Sequence, residues 1–203
     1  MENKTLKDFS IVTASKDPTP GGGGVSSYVG ALAASLAEMV TNLTIGKAKY
    51  IMYTDELQYI KKEADIIREN LLACIQKDAD DFMPLAKAYA MDKNTPNYEQ
   101  ILEDCLKQAA KTPYLVLKYC TRIIDLDERL AVIGSKISVS DAGTSVMLAH
   151  GAMYGAFMNI KVNTRLMKDK EYANAIDNES VELLDEYSVK ALNIYDDVCK
   201  RLS

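Results

Sequence analysis

Leu57, Ile60, Ala64, Ile67 and Leu71 recur at steps of three, four, three and four residues. Such steps hold apolar side chains on one stripe of a helix with ~3.6 residues per turn, and a strand has no such face. Leu184, Tyr187, Ala191, Ile194 and Val198 repeat the same steps near the other end of the chain. No segment alternates convincingly with period two. Two long amphipathic helices must bury their stripes against other elements, so the expected fold is all-α, a multi-helix up-and-down antiparallel bundle. Helices are expected over 4–14, 25–47, from the Leu57 seam toward residue 90, over 98–133, 141–168 and 171–202. Pro84 and Pro113 are expected to kink or split theirs. Asn97 and Ser140 are the expected N-caps, and Gly134 suits a helix end.

The 203 residues suit one domain spanning 1–203, long enough for a substantial core. A net charge of −5 argues against nucleic acid as a partner. Cys74, Cys105, Cys120 and Cys199 lack the spacing of zinc or dithiol motifs, and His150 is the sole histidine. The expectation is four reduced core thiols, no metal, and a cytoplasmic protein, since residues 1–16 carry no secretory signal. The apolar stretches 25–40 and 142–160 are shorter than the ~20 residues a membrane span needs, so both read as buried helices. Each is rich in small residues, which serve either core packing or a subunit contact.

Residues 17–27 read DPTPGGGGVSS. A nucleotide P-loop needs a lysine followed by Ser or Thr after its last glycine, and the dinucleotide fingerprint needs a third glycine where Ser27 stands. Both readings fail. What remains is a bare segment at a helix N-terminus, where side-chain-free amides and the helix dipole favour an anionic or carbonyl group. The alternative is a helix cap or a steric gap. Asp141 opens a later helix, either as a functional carboxylate or as a helix-stabilising acid. Asp78 lies seven residues after Leu71 and extends the apolar stripe, so it should face inward, where a carboxylate needs a partner or a purpose.

The segment DPTPGGGGVSSYVGALAASLAEMVTNLTIGKAKY, followed by IQKDADDF, AAKTPYLVLKYC and VSDAGTSVMLAHGAMYGAFMNIKVNTRLMKD, resembles the cyclodeaminase/cyclohydrolase family block by block and in order. That family comprises the C-terminal domain of formiminotransferase-cyclodeaminase and free-standing bacterial relatives, among them methenyltetrahydrofolate cyclohydrolases. The resemblance implies a homodimeric helical bundle acting on the one-carbon unit of tetrahydrofolate, with no cofactor beyond that substrate. A cyclohydrolase opens the 5,10-methenyl bridge with water to give 10-formyltetrahydrofolate. A cyclodeaminase closes 5-formiminotetrahydrofolate and expels ammonia.

By the same resemblance Asp78 and Asp141 form the acid–base pair. Asn159 and Asn163 orient the pterin or the water, or else make plain helix contacts. Pro20, Gly21, Gly22 and Gly23 shape a folate cradle. Lys47, Lys49 and Lys161 are candidates for the carboxylates of a mono- or polyglutamate tail. Three positions depart from the family pattern: Gly24 stands where serine is common, Lys161 where arginine is usual, and Asp81 where a small residue follows Asp78. The 203 residues include no formiminotransferase half, so cyclohydrolase is the expected activity. Cyclodeaminase and a catalytically silent folate-binding dimer are the alternatives.

Overall fold

A computed structural model describes residues 4–202. Its elements are α1 (Leu6–Thr13), α2 (Gly22–Asn42), a 3₁₀ helix (Ala48–Tyr53), α3 (Thr54–Ala90), α4 (Tyr98–Ile133), α5 (Val139–Thr164) and α6 (Lys170–Leu202). There is no strand among the described residues. Every member of the Leu57–Leu71 stripe is at most 2% exposed, so the periodicity marks the buried face of α3. On α6, Leu184, Ala191, Ile194 and Val198 are buried. Tyr187 lies partly buried on the same stripe and donates to Asp125 of α4 at 3.1 Å.

Side-chain pairs set the helix directions. The start of α2 meets the end of α3, where Gly23 touches Asp78. Asp81 late in α3 binds Thr112 early in α4, and Asp127 late in α4 binds Ser145 early in α5. Tyr154 meets Ser188, and Lys161 meets Asp177, between α5 and α6. Consecutive long helices are therefore antiparallel, as expected.

Helix α2 packs against α3, α4 and α5 at once. Its Ala31, Ala33, Ala34 and Ala37 are buried, because only small side chains fit where three helices crowd one. In α2 the small residues thus serve the core. In α5 they divide: a Cβ on Gly155 would lie 2.4 Å from Ser26 Oγ, whereas one on Gly151 would meet nothing within 4 Å.

Several expected boundaries move. Helix α2 begins at Gly22 rather than residue 25 and ends at Asn42, because the glycines are themselves helical. Asn97 does precede α4, but in a left-handed conformation with no capping bond from its side chain. Helix α5 begins at Val139, with Ser138 rather than Ser140 at the cap position. Neither proline splits its helix. Pro113 has no N–H to give the Ala109 carbonyl, and Asn163 Nδ2 of α5 donates to that carbonyl instead, at 3.3 Å. The proline thereby opens a bonding position on α4 that α5 fills.

Candidate active site

The first turn of any helix carries backbone N–H groups with no partner inside the helix. At α2 the cap residue is Gly21, extended and without a side-chain bond, so these amides look outward for acceptors. The Asp78 carboxylate of α3 supplies one, accepting from the Gly24 N–H. Approach this close leaves no room for a β-carbon: one on Gly23 would stand 2.1 Å from Asp78 Oδ1 and 2.5 Å from Cγ. On Gly22 it would stand 2.8 Å from Asn159 Nδ2. The glycines are not needed for positive φ, since Gly46 is the glycine with that conformation among the described residues. They are needed because a carboxylate and a carboxamide press on the helix start.

These groups line a cavity of about 120 Å³, bounded by Pro18, Thr19 and Gly21–Gly23, by Asp78 and Phe82 of α3, by Ala109 and Pro113 of α4, and by Asn159, Val162 and Asn163 of α5. Pro20, joined to Thr19 by a cis peptide, is buried behind the wall rather than lining it. Burial pushes the Asp78 carboxyl up to about 6; the Gly24 N–H opposes that rise and the Asp81 charge adds to it. An acid with such a pKa can both accept and return a proton near neutrality.

The asparagines are held by carbonyls. Asn159 Nδ2 donates to Gly155 O at 2.8 Å, and Asn163 Nδ2 donates to Asn159 O at 2.9 Å besides its bond to Ala109. Both amide groups are thus oriented at the cavity wall: they make helix contacts and line the cavity.

Four expected site residues lie elsewhere. Asp141 is 18 positions before Asn159 on the same helix, and a rise of 1.5 Å per residue separates them by about 27 Å. Within one chain it cannot pair with Asp78. Lys47 and Lys49 follow the far end of α2, about 30 Å from its glycines. Lys47 donates to Ser135 Oγ at 2.8 Å, and Lys49 lies over the Tyr50 ring. Lys161 is near the cavity in sequence but turns to α6, where it pairs with Asp177 at 2.6 Å. Within one chain the three lysines are thus not brought to the cavity, since pattern alone does not say which end or face of a helix a cation occupies.

Sequence reasoning gave no role to the residues beside Asp78. Asp81 is 8% exposed and accepts from Thr112 Oγ1 at 2.6 Å, Lys77 Nζ at 2.9 Å and Gln108 Nε2 at 2.9 Å. Burial would raise its carboxyl, but these three donors prevail and hold it below the usual range. It also passed over Asp127, wholly buried between helices. Ser145 Oγ lies 2.7 Å from Asp127 Oδ2 and 2.8 Å from the Ala33 carbonyl. One hydroxyl proton cannot serve both, so a protonated Asp127 donating to Ser145, with Ser145 donating to Ala33, satisfies the chain. Burial pushes the Asp127 carboxyl well above its ordinary range, as that arrangement requires.

A wider groove between α4 and α6 is a less attractive site because its cations are already engaged. Lys190 pairs with Asp125 and Glu128, Lys200 with Asp197, and Arg201 with carbonyls at the end of α4. No group of three or more His, Cys, Asp or Glu able to hold a metal occurs among the described residues. No disulfide joins the four cysteines, and Cys199, contrary to the core expectation, is exposed. No helix of the described residues is long and apolar enough to cross a membrane.

A helical bundle holding a titratable carboxyl against a glycine-started helix and two fixed carboxamides has the makings of an acid–base enzyme for a small amide-like group. The chain belongs to the formiminotransferase-cyclodeaminase family, whose model matches residues 5–182. It is 33% identical to a methenyltetrahydrofolate cyclohydrolase of Methylorubrum extorquens, over 99% of each chain. It is 24% identical to the formimidoyltransferase-cyclodeaminase of Mus musculus, matching 92% of this chain but 35% of that longer one. The crystal structure of a formiminotetrahydrofolate cyclodeaminase from Thermotoga maritima superposes with a TM-score of 0.84 at 31% identity, covering 99% of this chain and 96% of that one.

Proposed function

We propose that this protein is a methenyltetrahydrofolate cyclohydrolase, with Asp78 as its acid–base group. The observation that carries the reading is the partly buried Asp78 carboxyl, accepting from the Gly24 N–H near Asn159 and raised by burial to about 6. The similarity to the Methylorubrum enzyme along the full chain supplies the substrate. Ligand pockets for whole drug-sized molecules run to about 300 Å³ or more. A cavity of about 120 Å³ therefore takes the reacting end of the folate and leaves the rest outside.

The methenyl bridge is a delocalised amidinium cation, which an ionised Asp78 stabilises before reaction. Water adds to the bridge carbon while Asp78 takes its proton. The neutral tetrahedral carbon then bears a hydroxyl. Asp78 returns the proton to N5, the C–N5 bond breaks, and the hydroxyl passes its proton to the Asp78 carboxylate, which releases it to solvent, as the formyl C=O forms on N10. The α2 amides and the two carboxamides supply dipoles already in place around that carbon. In the cyclodeaminase alternative, the same acid would protonate departing ammonia.

The homodimer belongs to the same reading. Tyr154, Met158 and Val162 of α5 are exposed apolar residues along one side of that helix, the last of them at the cavity wall. Residues 141 and 159 lie nine positions either side of residue 150. A two-fold axis at the middle of α5 would thus set a second copy's Asp141 against this cavity. Mixing inactive Asp78→Asn with inactive Asp141→Asn protein would then restore activity through hybrid dimers; no restoration, or an active Asp141→Asn protein, removes Asp141 from the mechanism.

The activity test follows the methenyl chromophore. Its loss above the buffer rate supports the cyclohydrolase. Its appearance from 5-formiminotetrahydrofolate with released ammonia supports the cyclodeaminase instead. Folate binding with neither reaction would leave the silent binding dimer.

A further inference from the structure

Asp81 takes no direct part in the chemistry above, yet its carboxylate is held by three side-chain donors. It lies one helical turn after Asp78 and is 8% exposed. It accepts from three side chains on two helices: Lys77 of α3, and Gln108 and Thr112 of α4. All three are donors, so the pocket is built for an ionised acid and not for a protonated one. A plain packing role at this position would need neither a charge nor three donors to hold it.

Resting on the assignment of Asp78 as the acid–base group, we propose that Asp81 is a positioning residue that adds to the proton affinity of Asp78. Side chains three apart on a helix lie about 5–6 Å from each other at Cβ, close enough for a fixed negative charge to resist ionisation of its neighbour. The Asp81 charge accordingly raises the Asp78 carboxyl. The charged and titratable groups around Asp78 are few. On α3 they are Cys74, Lys77 and Asp81. From α2 come the Gly24 N–H and the other amides of the first turn. Helix α5 presents the neutral Asn159 and Asn163, its Lys161 being paired with Asp177. From α4, Gln108 and Thr112 reach Asp81. The Asp81 carboxylate is thus the anion placed to act on Asp78. Lys77, its ion-pair partner at 2.9 Å, partly masks it.

The arrangement makes two substitutions of opposite sign informative. Asp81→Asn keeps an acceptor for Thr112 and removes the charge, so Asp78 should titrate about 0.5–1 unit lower. Asp81→Glu retains the charge and should return Asp78 toward its wild-type value. Lys77→Gln, at an exposed position that spares the fold, unmasks Asp81 and should move Asp78 upward. The titration is read by NMR of carboxyl-labelled aspartate, with the Asp78 resonance assigned by its loss in Asp78→Asn. The pH profile of kcat is recorded on the same proteins, and its acid limb should move with the resonance. An Asp78 titration unmoved in both Asp81→Asn and Lys77→Gln overturns the inference, and so does a loss of turnover with no displacement of the limb. If the wild-type protein turns over neither folate, the proposed activity fails. The carboxyl titration then still decides the relation between the two acids.

Discussion

Alanine at position 23 separates the catalytic reading of the glycines from a structural one. A β-carbon there would sit 2.1 Å from Asp78 Oδ1, whereas ordinary contact begins near 3.4 Å. The carboxyl must therefore retreat by about 1.3 Å, the difference between those distances. Misplacing a reacting group by about 1 Å costs on the order of 100-fold in rate. The helix itself gains from the change, though at the second position of α2 by less than the ~1 kcal/mol that separates alanine from glycine in a helix interior. That gain offsets part of the strain, so the melting temperature should shift by only a few degrees while kcat falls about 100-fold. The neighbouring glycines provide a graded series. A β-carbon on Gly22 would lie 2.8 Å from Asn159 Nδ2, and one on Gly21 would lie 3.8 Å from the Pro18 carbonyl. Activity lost should rank Gly23→Ala above Gly22→Ala above Gly21→Ala, measured by initial methenyl absorbance loss alongside thermal melts. A Gly23→Ala protein with wild-type kcat would refute the argument, as would the reverse ranking.

Two further predictions concern buried carboxyls. Asp78 binds its proton more tightly in the folded chain, at about 6 against 3.8. Ionising it thus weakens the fold: the penalty is absent below about pH 4, grows toward pH 6 and is complete above it. Asp78→Asn should be inactive yet more stable than wild type at pH 8, by up to about 3 kcal/mol, with the difference vanishing near pH 3.5 in urea melts. Lower stability at pH 8 would mean that the carboxylate is well solvated or paired. Ser145→Ala strands the Asp127 carboxyl, the Ala33 carbonyl keeping its place in the α2 ladder, and should cost about 1–3 kcal/mol without changing KM. An unchanged melting temperature would show that water or another donor replaces the hydroxyl.

The helical class was legible because burial of a helix face leaves a local record. Leu57 to Leu71 and Leu184 to Val198 announced their stripes, and both stripes are buried. The same reasoning found Asp78, a charge placed on an apolar stripe. The glycine run was legible as unusual, but its cause was not: the close partner of Gly23 is 55 positions away, and that of Gly22 is on α5. Asp81 was named only as a departure from the family pattern. Lys77 stands at the local i,i+4 spacing, but Gln108 and Thr112 come from another helix, and no local spacing connects them to Asp81. The resemblance carried Asp141 and Lys47 to the site with equal weight, although helix length puts both far from Asp78 in one chain.

By itself, then, the sequence determined which segments become helices, which stripe of each turns inward, and which carboxylate breaks such a stripe. Those properties depend on neighbours within a turn or two, where 3.6-residue geometry fixes who faces whom. Only the tertiary structure decided that Asp78 meets the first turn of α2, that Asn163 takes the carbonyl left open by Pro113, and that Asp81 stands ionised behind them. These contacts join helices whose register is set by packing across the whole bundle. A shift of one turn, about 5.4 Å, would undo each of them while leaving every local pattern intact.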